Sequence, residues 1–293
     1  MFLLVYTVIC FFSAVIRANV ISNISTETFI NCQAHGFWED RTFSSTTLKE
    51  YNRTNFIGNS RPNILMLGDS ISRNAVNSYC RTVKLNAYTY TDCNSAGGHY
   101  ACVSNEVAIA SFFIFGSTLS EPNQNNAPGH HHFCPNTPYG TLNRLHNNLP
   151  LSVQNVFADK TIDIIVINAM RWTIIGVADR ESTFETFRFM EFAQEYIYNM
   201  TAIINEVRSL FPTSTIMLQK LPYIKKHEKC MIKMNKLLDI IALQQSIYVF
   251  DVENMCAGYD GKVIERDEVH PTSAVSVAFV KLLIDIANIQ KVV

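Results

Sequence analysis

From Asn63 onward, short apolar runs alternate with longer helix-like stretches, and this alternation narrows the possible folds more than any other feature of the chain. Ile64-Leu-Met-Leu67 reads as a buried strand, and a helix is expected from about Ser72 to Val83. Val107 to Phe115 is a second apolar run. Ile162 to Ile167, rich in β-branched residues and closed by Asn168, is a third. Thr215 to Gln219 and Ile247 to Phe250 are further strand candidates. Between them, Phe184, Phe187, Phe192, Tyr196, Met200, Ile203, Val207 and Leu210 recur mostly at steps of three or four, the period of a long amphipathic helix. Met231–Leu243 and Ser273–Ile289 read as helices too. Continuous apolar strands separated by helices imply a parallel sheet buried on both faces. Reactive groups then gather where the carboxyl ends of the strands meet the loops. Residues 119–149, rich in Asn, Pro and His, break the rhythm and read as a long surface loop. The expected layout is one decorated domain over 61–293, preceded by an N-terminal extension over 19–60.

The amino-terminal segment 1–18 contains no acid and one base, Arg17. Its apolar run from Phe2 to Ile16 falls short of the ~20 residues of a spanning helix and suits a signal-peptide core. Cleavage after Ala18 is expected, with an uncleaved anchor as the alternative; either places the body of the chain in the secretory lumen or outside the cell. Asn23, Asn52 and Asn199 each open an N-x-[ST] sequon and are candidate glycosylation sites. Losing the leader removes Cys10 and leaves seven of the eight cysteines, so in an oxidising compartment disulfides are expected and one thiol must stay unpaired within the monomer. The formal net charge is −1, which gives no support to a nucleic-acid partner, since that needs a concentrated positive face. No stable membrane insertion is expected after leader removal.

Gly68-Asp69-Ser70 follows directly on the first strand and opens a helix. The Ser70 hydroxyl therefore sits at a strand's carboxyl end, and its amide lies among the free N–H groups of a helix amino terminus. A serine there is also an ordinary helix cap. Near the other end of the chain, Asp267-Glu-Val-His270 precedes Pro271 and the last helix. A serine nucleophile needs a base, and the base needs a partner that fixes its tautomer; an Asp three residues before a His supplies both on one loop. Arg73, three residues after Ser70, either pairs with a carboxylate or reaches the substrate. The run His130-His-His132 points in different directions along an extended loop and reads as exposed polar surface, so no metal and no cofactor are expected.

Taken together, LGDSISR, Asn168-Ala-Met-Arg-Trp172 and the D-x-x-H block resemble the SGNH (GDSL-type) hydrolase superfamily, and most closely its PC-esterase branch, over about Asn63 to Ile289. The resemblance implies a three-layer α/β/α sandwich with a flavodoxin-like parallel sheet. It implies Ser70, His270 and Asp267 as a catalytic triad, and the Ser70 amide, the Asn168 side chain and a glycine amide as oxyanion donors. Gly116 holds the better topological position for that glycine, ahead of Gly97 and Gly98. Arg171 and Trp172 would line the mouth of the site and contact substrate. The expected activity is a secreted serine esterase acting on acyl esters, O-acetyl groups of glycans first among them. A glycan O-acyltransferase and a glycan- or protein-binding module without turnover are the alternatives.

Overall fold

A computed structural model describes residues 36–39, 42–45, 61–86, 88–90, 99–114, 116–117, 141–158, 161–169, 171, 173, 186–222, 228–257, 259, 267 and 269–290. A short antiparallel hairpin, β1 (Gly36–Glu39) with β2 (Thr42–Ser45), precedes the main body. The central sheet has seven strands: β3 (Asn63–Gly68), β4 (Tyr88–Tyr90), β5 (His99–Val103), β6 (Ala108–Phe113), β7 (Ile164–Asn168), β8 (Thr215–Gln219) and β9 (Tyr248–Phe250). Their spatial order is β4-β5-β6-β3-β7-β8-β9. The five strands from β6 to β9 run parallel. In chain order these five lie 2-1-3-4-5, which is the flavodoxin-like arrangement.

Strand alternation builds two separate cores. Leu65, Leu67, Phe112, Ile165, Ile167 and Leu218 face one side, where α3 (Leu149–Phe157), α4 (Thr186–Leu210) and α5 (Glu228–Gln245) cover them. Ile64, Met66, Ile109, Val166 and Met217 face the other, under α1 (Ser70–Thr82), α6 (Val252–Ala257) and α7 (Ser273–Gln290). The result is the expected three-layer α/β/α sandwich. The five strand candidates become β3, β6, β7, β8 and β9, with ends that agree to within two residues.

Two expectations need correction. The sheet is not wholly parallel, because β4 and β5 add an antiparallel edge beyond β6. These strands are short and carry mixed polar residues, so their pattern does not announce them. The span 119–149 is not loop throughout: α2 (Thr141–Asn147) lies within it, and α3 opens at its end with proline in the first turn. Pro150 lacks only an N–H that the first turn leaves without an intrahelical acceptor. In α2, Leu145 enters the core beside Arg144, which is fully buried and donates from Nε to the Phe113 carbonyl at 3.0 Å. Seven residues leave the apolar period no room to repeat. The leader, Asn23 and Asn52 lie outside the described residues, as do Cys32, Cys93, Cys134, Gly97, Gly98 and the His130–His132 run. Asn199 lies on the half-buried flank of α4. Among the described residues, no helix is long and apolar enough to cross a membrane.

Cys80 and Cys102 form a disulfide that ties the end of α1 to β5 across a sequence separation of 22. Cys256 is a buried free thiol, and burial followed by the nearby Asp251 charge pushes its pKa up. Closing a loop of this length contributes about 3 kcal/mol in the chain-entropy account. Replacing both Cys80 and Cys102 by Ala should therefore lower the unfolding free energy by about that amount. Denaturant titration measures it, and an unchanged midpoint at unchanged slope would show that the bridge does not stabilise the native fold.

Candidate active site

β3 ends at Gly68 and α1 begins two residues later. Asp69 is the cap between them: its Oδ1 accepts the Ile71 N–H at 2.8 Å, while the backbone carbonyl of Asp69 accepts the Arg73 N–H at 3.1 Å. This leaves the Ser70 N–H as a first-turn donor without an intrahelical acceptor, beside its own hydroxyl. The turn is possible because residue 68 is glycine. A Cβ there would stand 2.3 Å from Ser72 Oγ and 3.1 Å from the Asn168 carbonyl oxygen. A Cβ there would require Ser72 Oγ to rotate away and its two other neighbours to give by a few tenths of an ångström.

Two hundred residues further along, the loop before α7 brings in the base. His270 Nε2 lies 2.7 Å from Ser70 Oγ, and His270 Nδ1 lies 2.5 Å from Asp267 Oδ2. Asp267 is in turn fixed by its own loop, its Oδ1 accepting the backbone N–H groups of Val269 and His270, each at 3.0 Å. Partial desolvation pushes its carboxyl up. The imidazole hydrogen bond, the two backbone N–H bonds and the histidine charge outweigh that and hold it down at about 2. It is therefore ionised at neutral pH even though its side chain is half exposed. Ser70, His270 and Asp267 thus form a continuous hydrogen-bonded chain.

Asn168 ends β7 in register with Gly68, next to the serine turn. Its side chain is 1% exposed, and among the described residues neither its Nδ2 nor its Oδ1 has a hydrogen-bond partner. An unsatisfied buried amide costs about 1–3 kcal/mol, so a position that keeps one beside a nucleophile calls for an explanation. Gly116 sits just beyond β6 with φ 76°, a left-handed conformation that favours glycine. Its carbonyl accepts the Thr141 hydroxyl at 2.8 Å.

The surroundings differ from the expectation in one respect. Arg171 does not line an open mouth, because it is 4% exposed with a buried, unpartnered Nε. Burial pulls its pKa down, and the charges of Asp69 and Asp267 raise it in opposition. Trp172 lies outside the described residues. Arg73 is half-buried, with its guanidinium 6.0 Å from the centre of the Phe113 ring and within electrostatic reach of Asp69. Asp69 itself is fully buried and its Oδ2 has no partner. Desolvation raises its pKa to about 6 against the Ile71 N–H bond and the charges of His270, Arg171 and Arg73. The sequence marked Asp69 only as part of the serine motif; its burial follows from packing between β3, α1 and the Arg171 segment.

The other described histidines, His99 and His146, have partners away from Ser70. His99 Nδ1 accepts the Phe113 N–H at 2.8 Å while its ring stacks on Phe112, and burial followed by the Arg144 charge keeps its pKa well below the usual value. His146 pairs with Glu206 at 3.1 Å between α2 and α4. Among the described residues no group of three His, Cys, Asp or Glu side chains is placed to hold a metal.

No family model matches the chain, and no curated protein sequence matches it. Several solved structures are similar to it. One is a lipase from a goat rumen metagenome, at 16% identity and TM-score 0.47, covering 76% of this chain and 95% of the lipase. Another is a carbohydrate esterase family 3 protein from Talaromyces cellulolyticus, at 14% identity and TM-score 0.43, covering 76% and 94%. A third is an acetylxylan esterase from Geobacillus stearothermophilus, at 13% identity and TM-score 0.39, covering 80% and 96%.

Asp69 generates a prediction with a definite sign. Its native pKa of about 6 lies above the ordinary 3.8, so the native state holds this proton to higher pH than the unfolded chain. The contribution is nil below about pH 4 and becomes a destabilisation of about 3 kcal/mol once both states are ionised. Asp69→Asn keeps an acceptor for the Ile71 N–H and cannot ionise. Its stability relative to wild type should rise between pH 4 and pH 7, as read by thermal unfolding. Parallel curves for the two proteins over that range would show that Asp69 is not a buried charge.

Proposed function

We propose that the protein is a serine esterase that cleaves acyl esters, with O-acetyl groups on glycans as the favoured substrates, in an oxidising secretory or extracellular compartment. The observation that carries this is the Ser70–His270–Asp267 chain, with its 2.7 Å and 2.5 Å contacts drawn from two ends of the sequence. A helix cap has no need of a histidine at its hydroxyl. The substrate class follows the PC-esterase resemblance of the serine and Asn168 segments, and the Cys80–Cys102 bridge supports the compartment.

In this mechanism Ser70 Oγ attacks the ester carbonyl carbon while its proton passes to His270 Nε2. The resulting imidazolium is stabilised by Asp267, which remains a carboxylate throughout. The carbonyl oxygen becomes an oxyanion and accepts hydrogen bonds from the Ser70 N–H, the Asn168 Nδ2 and the Gly116 N–H. Collapse breaks the bond to the alcohol oxygen, which leaves with the proton from His270. Water then attacks the acyl-enzyme, gives its proton to His270, and the second collapse releases the carboxylic acid and restores the Ser70 hydroxyl. The unpartnered amide of Asn168 fits a donor aimed at charge that exists only during reaction, where a single donor contributes roughly 3–4 kcal/mol.

Ser70→Ala and His270→Ala should each remove nearly all acetate release from O-acetylated glycans, with folding unchanged. Asn168→Ala should lower kcat by roughly 100- to 1,000-fold, leaving fluorophosphonate labelling of Ser70 detectable but slowed. Near-full activity in Ser70→Ala would sink the esterase assignment. A folded wild type that neither labels nor turns over would favour a binding module.

A further inference from the structure

The two outer donors of the oxyanion cradle come from different loops: Gly116 follows β6, and Asn168 ends β7. One hydroxyl joins those loops. Thr173 Oγ1 donates to the Ala169 carbonyl at 2.9 Å, accepts the Ser117 backbone N–H at 3.0 Å, and lies 3.2 Å from Ser117 Oγ. A threonine hydroxyl has one proton and two lone pairs. With its proton committed to Ala169, Thr173 must accept from Ser117 Oγ, so Ser117 is the donor in that contact. Both lone pairs and the proton are then used. Ser117 is 4% exposed, so its N–H would be left desolvated if the threonine oxygen were removed.

The contacts converge on the residues next to the proposed donors. Ser117 follows Gly116, and Ala169 follows Asn168. From the far side, the Thr141 hydroxyl holds the Gly116 carbonyl at 2.8 Å. Holding the 116–117 peptide on both sides fixes the orientation of the Gly116 turn. Tying it through Thr173 to Ala169 fixes its distance from the Asn168 side chain. The sequence offers no signal for this, because Thr173 and Ser117 are separated by 56 positions and neither belongs to a recognisable block.

We infer that Thr173 is a positioning residue which locks the Gly116 and Asn168 loops into one oxyanion cradle, through its hydroxyl bonds to Ser117 and Ala169. This rests on the esterase reading above. The lock adds nothing to ground-state ester binding and acts only on where the donors stand when charge develops on the carbonyl oxygen.

The test uses the full-length protein and p-nitrophenyl acetate. Thr173→Val keeps the side-chain shape and removes the hydroxyl. Displacing a donor by about an ångström costs on the order of 100-fold, so kcat should fall roughly 10- to 100-fold with KM little changed. Thr173→Ser restores the hydroxyl and should recover most of the lost kcat. Wild-type kcat in Thr173→Val overturns the inference, and so does a Thr173→Ser variant as impaired as Thr173→Val. If Thr173→Val does not fold, Thr173→Ala decides, since it removes the same hydroxyl without placing a methyl in its stead. A lowered kcat at constant KM there supports the lock, and unchanged kcat overturns it. Wild type that is folded but inactive and unlabelled by a fluorophosphonate overturns the esterase reading, and this inference with it. Active, labelled wild type beside a fully active Thr173→Val overturns the lock alone.

Discussion

The approach of three elements at Gly68 is the contact on which the rest of the site depends. β3, β7 and α1 close to within a distance that leaves no room for a Cβ, the Asn168 carbonyl on one side and Ser72 on the other. With that gap closed, Ser70 emerges at the first turn of α1 with its N–H free, and the Asn168 amide stands beside it. A methyl there would crowd Ser72 Oγ and the Asn168 carbonyl, the two groups that border the serine turn. The two apolar cores pack on both faces of the sheet that carries Gly68, and the Cys80–Cys102 bridge anchors the far end of the same helix.

Electrostatics sets the two carboxylates on either side of His270 apart. Asp267 is half exposed, bonded by the imidazole and two backbone N–H groups, and held at about 2. Asp69 is fully buried, bonded through one oxygen only, and raised to about 6. Environments that push the pKa values of two site carboxyls apart in this way commonly accompany a division of labour. Asp267 suits the task of holding an imidazolium. Asp69 organises the turn as a cap, and the buried guanidinium of Arg171 and the half-buried one of Arg73 partly offset its charge.

Much of the scaffold was legible because its signals are local. The five parallel strands are mostly apolar, and β8 falls at Thr215–Gln219 as its run predicts. The edge strands β4 and β5 were not legible, since short antiparallel edges borrow their stability from a neighbour rather than from their own pattern. Helix α2 escapes for a different reason: it is seven residues long, and beside Leu145 it buries the guanidinium of Arg144, satisfied by a carbonyl that only the fold supplies. Arg171 was assigned to the mouth of the site and is instead packed beneath it.

The sequence by itself determined the layered α/β plan and the two segments from which a serine, a histidine and an aspartate could come. Those depend on hydrophobic periodicity and on residues spaced a few positions apart, both of which survive in one dimension. Only the tertiary structure decided that Ser70 and His270 meet, which cysteines pair, that Asp69 is buried, and that Thr173 joins two loops. Each of these depends on distances between residues far apart in the chain, set by how helices and strands pack rather than by what any segment prefers alone.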